Sequence, residues 1–156
     1  MIKVLFVCLG NICRSPLAEA IFNQKIKEKG LENVVSSDSA GTSNYHIGEQ
    51  PDERSIQVSL NHNVPINHLG RQLVRKDGET FTYILAMDRS NHRNTIHTLN
   101  NTHEGLFLMR DFDPDETGAD VPDPYYGGKD GFQEVYDILD RSIEKFIQFL
   151  KEKHDL

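Results

Sequence analysis

The chain has 156 residues, 37% of them apolar and 26% charged, and a net charge of −7. That suits one globular domain with a full core, leaves no apolar run long enough for a membrane span, and argues against nucleic acid as a partner. Two cysteines only five residues apart make no disulfide framework, so a reducing compartment is expected.

Taken in order, the chain alternates strand and helix signals. Met1 leads straight into the apolar, β-branched-rich run 2–7, without the h-region and cleavage site of a signal peptide. Such a run fits a buried parallel strand ending at Cys8. Gly10 and Asn11 then supply residue types that tolerate left-handed backbone. Ser15-Pro16 reads as a helix start, a capping hydroxyl followed by proline at the first helical position. Glu19 falls in the first turns, where the helix dipole favours an anion. The helix runs through Phe22 to Lys29 and stops at Gly30.

Residues 34–40 read as a second strand and 41–48 as a loop. Pro51, followed by Asp52 and Glu53, starts a second helix that runs to about Asn61. A turn-rich link over 62–73 precedes a third apolar strand at 81–87. Asp88-Arg-Ser-Asn91 starts a helix that reaches about Leu99. A short strand at 106–108 leads into a long loop over 109–129. The chain closes on an amphipathic helix at 131–153, where Phe132, Val135, Tyr136, Leu139, Ile143, Phe146, Ile147 and Leu150 recur at helical spacing. There is no internal repeat, linker or low-complexity tract.

This pattern predicts a single α/β domain over 1–156. It has three layers, with a central, mostly four-stranded parallel sheet and helices on both faces. Ligands of such sheets bind outside the carboxyl ends of the strands, which is where Cys8 falls.

Cys8 and Arg14 give that position its chemistry. The loop between them can turn its backbone N–H groups inward and form a nest for an anion, reinforced by the positive end of the helix dipole. A cysteine there is expected to have a depressed pKa and to be a thiolate at neutral pH. Arg14 offers a planar fork that matches two phosphate oxygens. Leu9, Gly10, Asn11, Ile12, Cys13, Arg14 and Ser15 are the expected phosphate-binding loop, with Ser15 placed to donate a hydrogen bond to the sulfur. A thiolate inside an oxyanion cradle is what phosphoryl transfer to sulfur needs. The competing reading is a buried cysteine in a tight strand-to-helix turn, with Arg14 a surface charge. Asn11 reads as a scaffold residue, its side chain able to hold the loop open by hydrogen bonds.

The stretch Cys8-Leu-Gly-Asn-Ile-Cys-Arg-Ser-Pro resembles the signature loop of the low-molecular-weight protein tyrosine phosphatases. Asp123-Pro-Tyr-Tyr-Gly127 resembles that family's acid loop, so the resemblance spans essentially the whole chain. It implies a phosphatase acting on phosphotyrosine in proteins and on small aryl phosphates, with Cys8 as nucleophile and no metal or other cofactor. Asp123, held between Pro122 and Pro124, would be the acid and then the base; a plain turn-forming aspartate competes with this. Its neighbours Asp111, Asp113, Asp115 and Asp120 lack the flanking aromatic pair.

Tyr45, Tyr125 and Tyr126 would border the substrate cleft, though half-buried loop tyrosines are a fair rival reading. Glu49 and Gln50 would tune the peptide accepted. Ser39 and His68 would be the partners of Asn11 in a network bracing the loop. The remaining histidines, His46, His62, His92, His97, His103 and His154, are expected to be solvated.

Cys13 is either a small loop residue or a redox partner that traps oxidised Cys8 as a disulfide. Three other readings compete. A protein-arginine phosphatase of this fold generally carries threonine where Ile12 stands. An arsenate reductase needs a cysteine beyond Cys13, and there is none. A non-catalytic phosphate-binding module need not keep Cys8, Ser15 and Asp123 together. The default assembly is a monomer.

Overall fold

The computed structural model describes residues 1–125, 127 and 129–156. Tyr126 therefore lies outside the described residues. The elements are β1 (Ile2–Cys8), α1 (Arg14–Glu28), β2 (Val35–Gly41), α2 (Glu53–Asn61), α3 (Asp77–Thr80), β3 (Tyr83–Ala86), α4 (Arg89–Leu99), β4 (Leu106–Leu108) and α5 (Lys129–His154). A turn of 3₁₀-helix, Met109–Phe112, follows β4. The four strands form one parallel sheet in the order β2-β1-β3-β4.

β1 is buried on both faces, which is why its apolar run does not alternate. Val4, Phe6 and Cys8 belong to a core shared with α1 and α5. Leu5 and Val7 face a second, smaller core with Ile84 and Leu99 of α4. These two cores make the three layers. Phe22 of α1 sits edge-on to Phe6 at 5.4 Å and packs at 6.0 Å from Phe146 of α5, so aromatic contacts join the sheet to both helices of that layer.

α1 ends as expected: Gly30 takes φ +69°, and Leu31 N–H reaches back to Ile26 O at 3.0 Å. Asp88 caps α4, its Oδ1 accepting from Asn91 N at 2.7 Å. The start of α1 differs from the sequence reading. The helix begins at Arg14, Cys13 occupies the cap position, and no side chain caps it. Pro16 is the third helical residue, still in the first turn, where a missing N–H costs nothing. At the start of α2, Asp52 is the cap, accepting from Arg54 N at 2.9 Å, and Pro51 stands just before it, outside the helix.

Two short elements escaped the periodicity: α3, and the 3₁₀ turn inside what reads as loop. Both are four residues long, too short for a repeating pattern. Among the described residues no helix is long and apolar enough to cross a membrane.

Candidate active site

The sheet order puts β1 between β2 and β3, so the turn after Cys8 emerges in the middle of the carboxyl edge. That turn is held from outside through its carbonyls. Thr42 N donates to Cys8 O at 2.9 Å, Ser43 N to Leu9 O at 3.0 Å and Asp52 N to Ile12 O at 2.8 Å. Ser55 Oγ donates to Cys13 O at 3.1 Å. With the carbonyls turned outward, the amides point the other way. Asn11, at φ 56°, donates its N–H to Cys8 Sγ at 3.3 Å. No acceptor is found among the described residues for the backbone N–H groups of Gly10, Ile12 and Cys13. Inward amides of this kind form an anion nest.

Gly41 of β2 lies directly beneath this turn, where a Cβ would stand 2.8 Å from Leu9 O and 3.1 Å from Asn11 N. Both atoms are backbone, so neither can swing aside. Gly41→Ala is expected to cost about 1–3 kcal/mol of stability by overpacking and to displace the turn. Thermal unfolding and phosphate affinity, measured together, check this; wild-type values for both would show that the turn tolerates the methyl group.

The sulfur has a second partner. Ser15 Oγ lies 3.0 Å from Cys8 Sγ. Asn11 Nδ2 donates to that same oxygen at 2.8 Å, so the Ser15 proton is free to point at the sulfur. The hydroxyl read as a helix cap is thus turned back onto the nucleophile. Asn11 and Ser15, at 1% and 0% exposure, support the loop from behind and do not line its hollow.

Both polar atoms of the Asn11 side chain are bound. Nδ2 also donates to Ser39 Oγ at 3.1 Å, while Oδ1 accepts from His68 Nε2 at 2.7 Å and from Arg71 N at 3.0 Å. Behind them stands Glu19, whose Oε1 accepts from Ser39 Oγ at 2.7 Å and lies 3.2 Å from His68 Nδ1. Glu19 is therefore part of the brace and not a surface anion answering the helix dipole. Burial pushes its carboxyl up to about 7, against the pull of the Ser39 hydroxyl. Burial also pulls His68 down. Both shifts favour a neutral pair with one proton between carboxyl and imidazole. Asp38 completes a trio of metal-ligand type with Glu19 and His68. Arg71 Nε donates to Asp38 Oδ2 at 2.9 Å, while its Nη1 and Nη2 donate to Asp77.

Arg14 is 3% exposed, and its hydrogen bonds anchor it through Nη1. Its Nη1 donates to Asp88 Oδ2 at 2.8 Å and to Val121 O at 3.0 Å. Its Nη2 lies 3.7 Å from Asp123 Oδ2. Burial works against the Arg14 charge, but Cys8, Asp88 and Asp123 outweigh it and hold the guanidinium above its ordinary value. Burial pushes the Cys13 thiol well up, with Asp52 and Cys8 adding to the effect. Cys13 is thus a protonated neighbour and no rival nucleophile.

Asp123 reaches the same place from the far end of the chain. Its Oδ1 accepts from Tyr125 N at 3.0 Å, which leaves Oδ2 facing Arg14. Together these groups enclose a cavity of about 280 Å³. Cys8, Gly10, Ile12, Cys13 and Arg14 form its floor, Asp123 one wall, and Leu9, Tyr45 and Tyr125 its exposed rim. His46 lines it too, with Nδ1 2.9 Å from Glu49 Oε2.

The rival acids are engaged elsewhere. Asp113 is fully buried between Arg110 and Arg141. Burial opposes its charge, yet the Arg141 and Arg110 guanidiniums and the Asp115 N–H hold its carboxyl at about 2. Asp111 accepts from Leu108 N, Asp115 lies 3.4 Å from Arg141 Nε, and Asp120 pairs with Arg89. Several histidines are also less solvated than expected. His103 Nδ1 accepts from Gly105 N and His154 meets the Tyr83 hydroxyl at 2.7 Å, while His62, stacked on Tyr136 at 3.8 Å, stays exposed as expected.

The comparisons agree with this geometry. A family model described as low molecular weight phosphotyrosine protein phosphatase matches residues 3–156. The chain belongs to that family. A chicken (Gallus gallus) low molecular weight phosphotyrosine protein phosphatase is 40% identical over 149 residues, 94% of each protein. A solved protein tyrosine phosphatase from Entamoeba histolytica superposes with a TM-score of 0.94 at 39% identity, covering 99% of both chains. A Drosophila arginine phosphatase superposes with a TM-score of 0.87 at 35% identity, covering 96% of this chain and 98% of that one. The chain is thus a phosphatase of this family by sequence and by fold. Asp88, Asp52 and Ser55 support its loop without any signal in the sequence beyond their helix-start positions, because the Arg14–Asp88 contact spans 74 residues.

Proposed function

We propose that the protein hydrolyses phosphotyrosine in protein substrates, and small aryl phosphates, through a cysteinyl-phosphate on Cys8. The observation that carries this reading is the meeting of the Cys8 sulfur, the Arg14 fork and the Asp123 carboxyl around one anion nest. The Cys8 thiolate attacks phosphorus, and the bond from phosphorus to the tyrosine oxygen breaks. Protonated Asp123 gives its proton to that oxygen, which matters because a phenol with a pKa of about 10 leaves poorly as an anion. Loop amides and Arg14 hold the three remaining oxygens. The Asp123 carboxylate then takes a proton from water, the water oxygen attacks phosphorus, and the sulfur leaves as thiolate under the Ser15 hydroxyl. Tyr45 and Tyr125 are placed to flank a phenyl ring. On this reading the protein acts in the cytoplasm as a monomer and needs no cofactor.

An arginine phosphatase is the second reading, favoured by the Drosophila neighbour. Against it, the side chain at position 12 is the apolar Ile12, which lines the cavity and offers no hydroxyl. Phosphate release from matched phosphotyrosine and phosphoarginine peptides decides the matter. Turnover confined to the phosphoarginine peptide would transfer the assignment.

Cys13 fits a protective role. Peroxide converts Cys8 to a sulfenic acid; the Cys13 thiol, no competitor for phosphate, then passes its proton to the departing hydroxyl as its sulfur attacks, so water leaves and a disulfide closes that thiols reopen. After peroxide and then a thiol reductant, Cys13→Ser is expected to recover less activity than wild type. Equal recovery would assign Cys13 to packing alone.

A further inference from the structure

Arg54, which the reaction above does not use, makes contacts on both sides of the cavity. Its Nε and Nη2 donate to Asp52 Oδ1 and Oδ2, each at 3.0 Å. Asp52 is itself fixed to the phosphate loop through its N–H to Ile12 O. From that base the guanidinium crosses to the acid loop. Nη2 donates to Tyr125 O at 3.0 Å and Nη1 to Gly127 O at 3.1 Å. Its Cζ lies over the Phe132 ring at the start of α5, 4.6 Å from the centre, and over the Tyr125 ring at 5.7 Å. The loop it grips is the turn that holds Asp123, since Tyr125 N donates to Asp123 Oδ1 and Gly127 N to Pro124 O at 3.0 Å.

We propose that Arg54 is a positioning residue for general acid catalysis, a clamp that sets the distance between the phosphate loop and the Asp123 carboxyl. The inference rests on the reading of Asp123 as the acid. A guanidinium suits this task because its planar fork binds a carboxylate on one edge and two carbonyls on another while its face stacks on a ring. An ammonium group cannot do all three. Through this clamp the start of α2 sets two things at once: the loop carbonyls at 12 and 13, and the reach of the acid.

The test compares kcat/KM for phenyl phosphate, whose leaving group needs a proton, with that for p-nitrophenyl phosphate, whose leaving group needs one far less. The variants are Arg54→Ala, Arg54→Gln, Arg54→Lys and Asp123→Asn. Vanadate inhibition reads the cradle, and thermal unfolding reads the fold. Arg54→Ala is expected to lose about tenfold on phenyl phosphate and no more than about twofold on p-nitrophenyl phosphate, part of the ~10²–10⁴-fold that an acid supplies. Vanadate affinity should stay near wild type. Arg54→Lys should restore only part of the loss, and Arg54→Gln serves if the alanine variant fails to fold. Adding Asp123→Asn to Arg54→Ala should cost less than Asp123→Asn alone. Equal losses on both substrates, or vanadate affinity falling in step with activity, would overturn the proposal and make Arg54 a brace of the cradle. If Asp123→Asn alone shows no leaving-group bias, the acid assignment fails first and takes the clamp with it.

Discussion

Cys8→Ser is expected to abolish phosphate release while leaving phosphate binding in place. A serine hydroxyl keeps the size of the site and can still meet Ser15 Oγ and the Asn11 N–H. It does not ionise readily at neutral pH, and in the first step Asp123 is the protonated acid and so takes no proton from it, so the nucleophile is lost. The expected fall in kcat is on the order of 10⁶-fold, the scale seen when a nucleophile is deleted. Arg14 and the loop amides are untouched, so calorimetry should give a phosphate Kd close to wild type. The measurement is p-nitrophenol release, repeated with a chelator. Turnover that survives the substitution, or that the chelator removes, would place the chemistry elsewhere.

Asp123→Asn is the second large effect. The amide oxygen can still accept from Tyr125 N, so the turn should hold. What disappears is the proton for the leaving oxygen and, afterwards, the base for water. The loss in kcat/KM should approach ~10²–10⁴-fold on phenyl phosphate and shrink as the leaving group becomes more acidic. A uniform loss across leaving groups would mean that Asp123 only holds Arg14.

Much of this was legible in advance because it is local. The run into Cys8, the left-handed Asn11 and the cap at Asp88 each depend on a few adjacent residues, and each occurs where their chemistry places it. What stayed hidden is mostly long-range. The contact of Arg14 with Asp88 links two helix starts that no periodicity relates. The Arg54 clamp joins α2 to a loop 71 and 73 residues away. Burial of Asp113 between two arginines removes one rival acid, and composition cannot report burial. Ser15 was legible in one role and misleading in the other: its hydroxyl meets the Cys8 sulfur as expected, and because the sulfur and the Asn11 amide hold it there it does not cap the helix that Ser-Pro marks. Glu19 misleads for the same reason, drawn from the dipole to His68 and Ser39.

Asp88 spends its two oxygens on different tasks, one on the first turn of α4 and the other on the guanidinium beside the nucleophile. Durability and reactivity therefore share one side chain. Asparagine there would still cap the helix while giving up the anionic oxygen that grips the fork, whereas alanine would lose both. Engineers seeking a hardier version should leave that corner alone and work on the far face of the sheet.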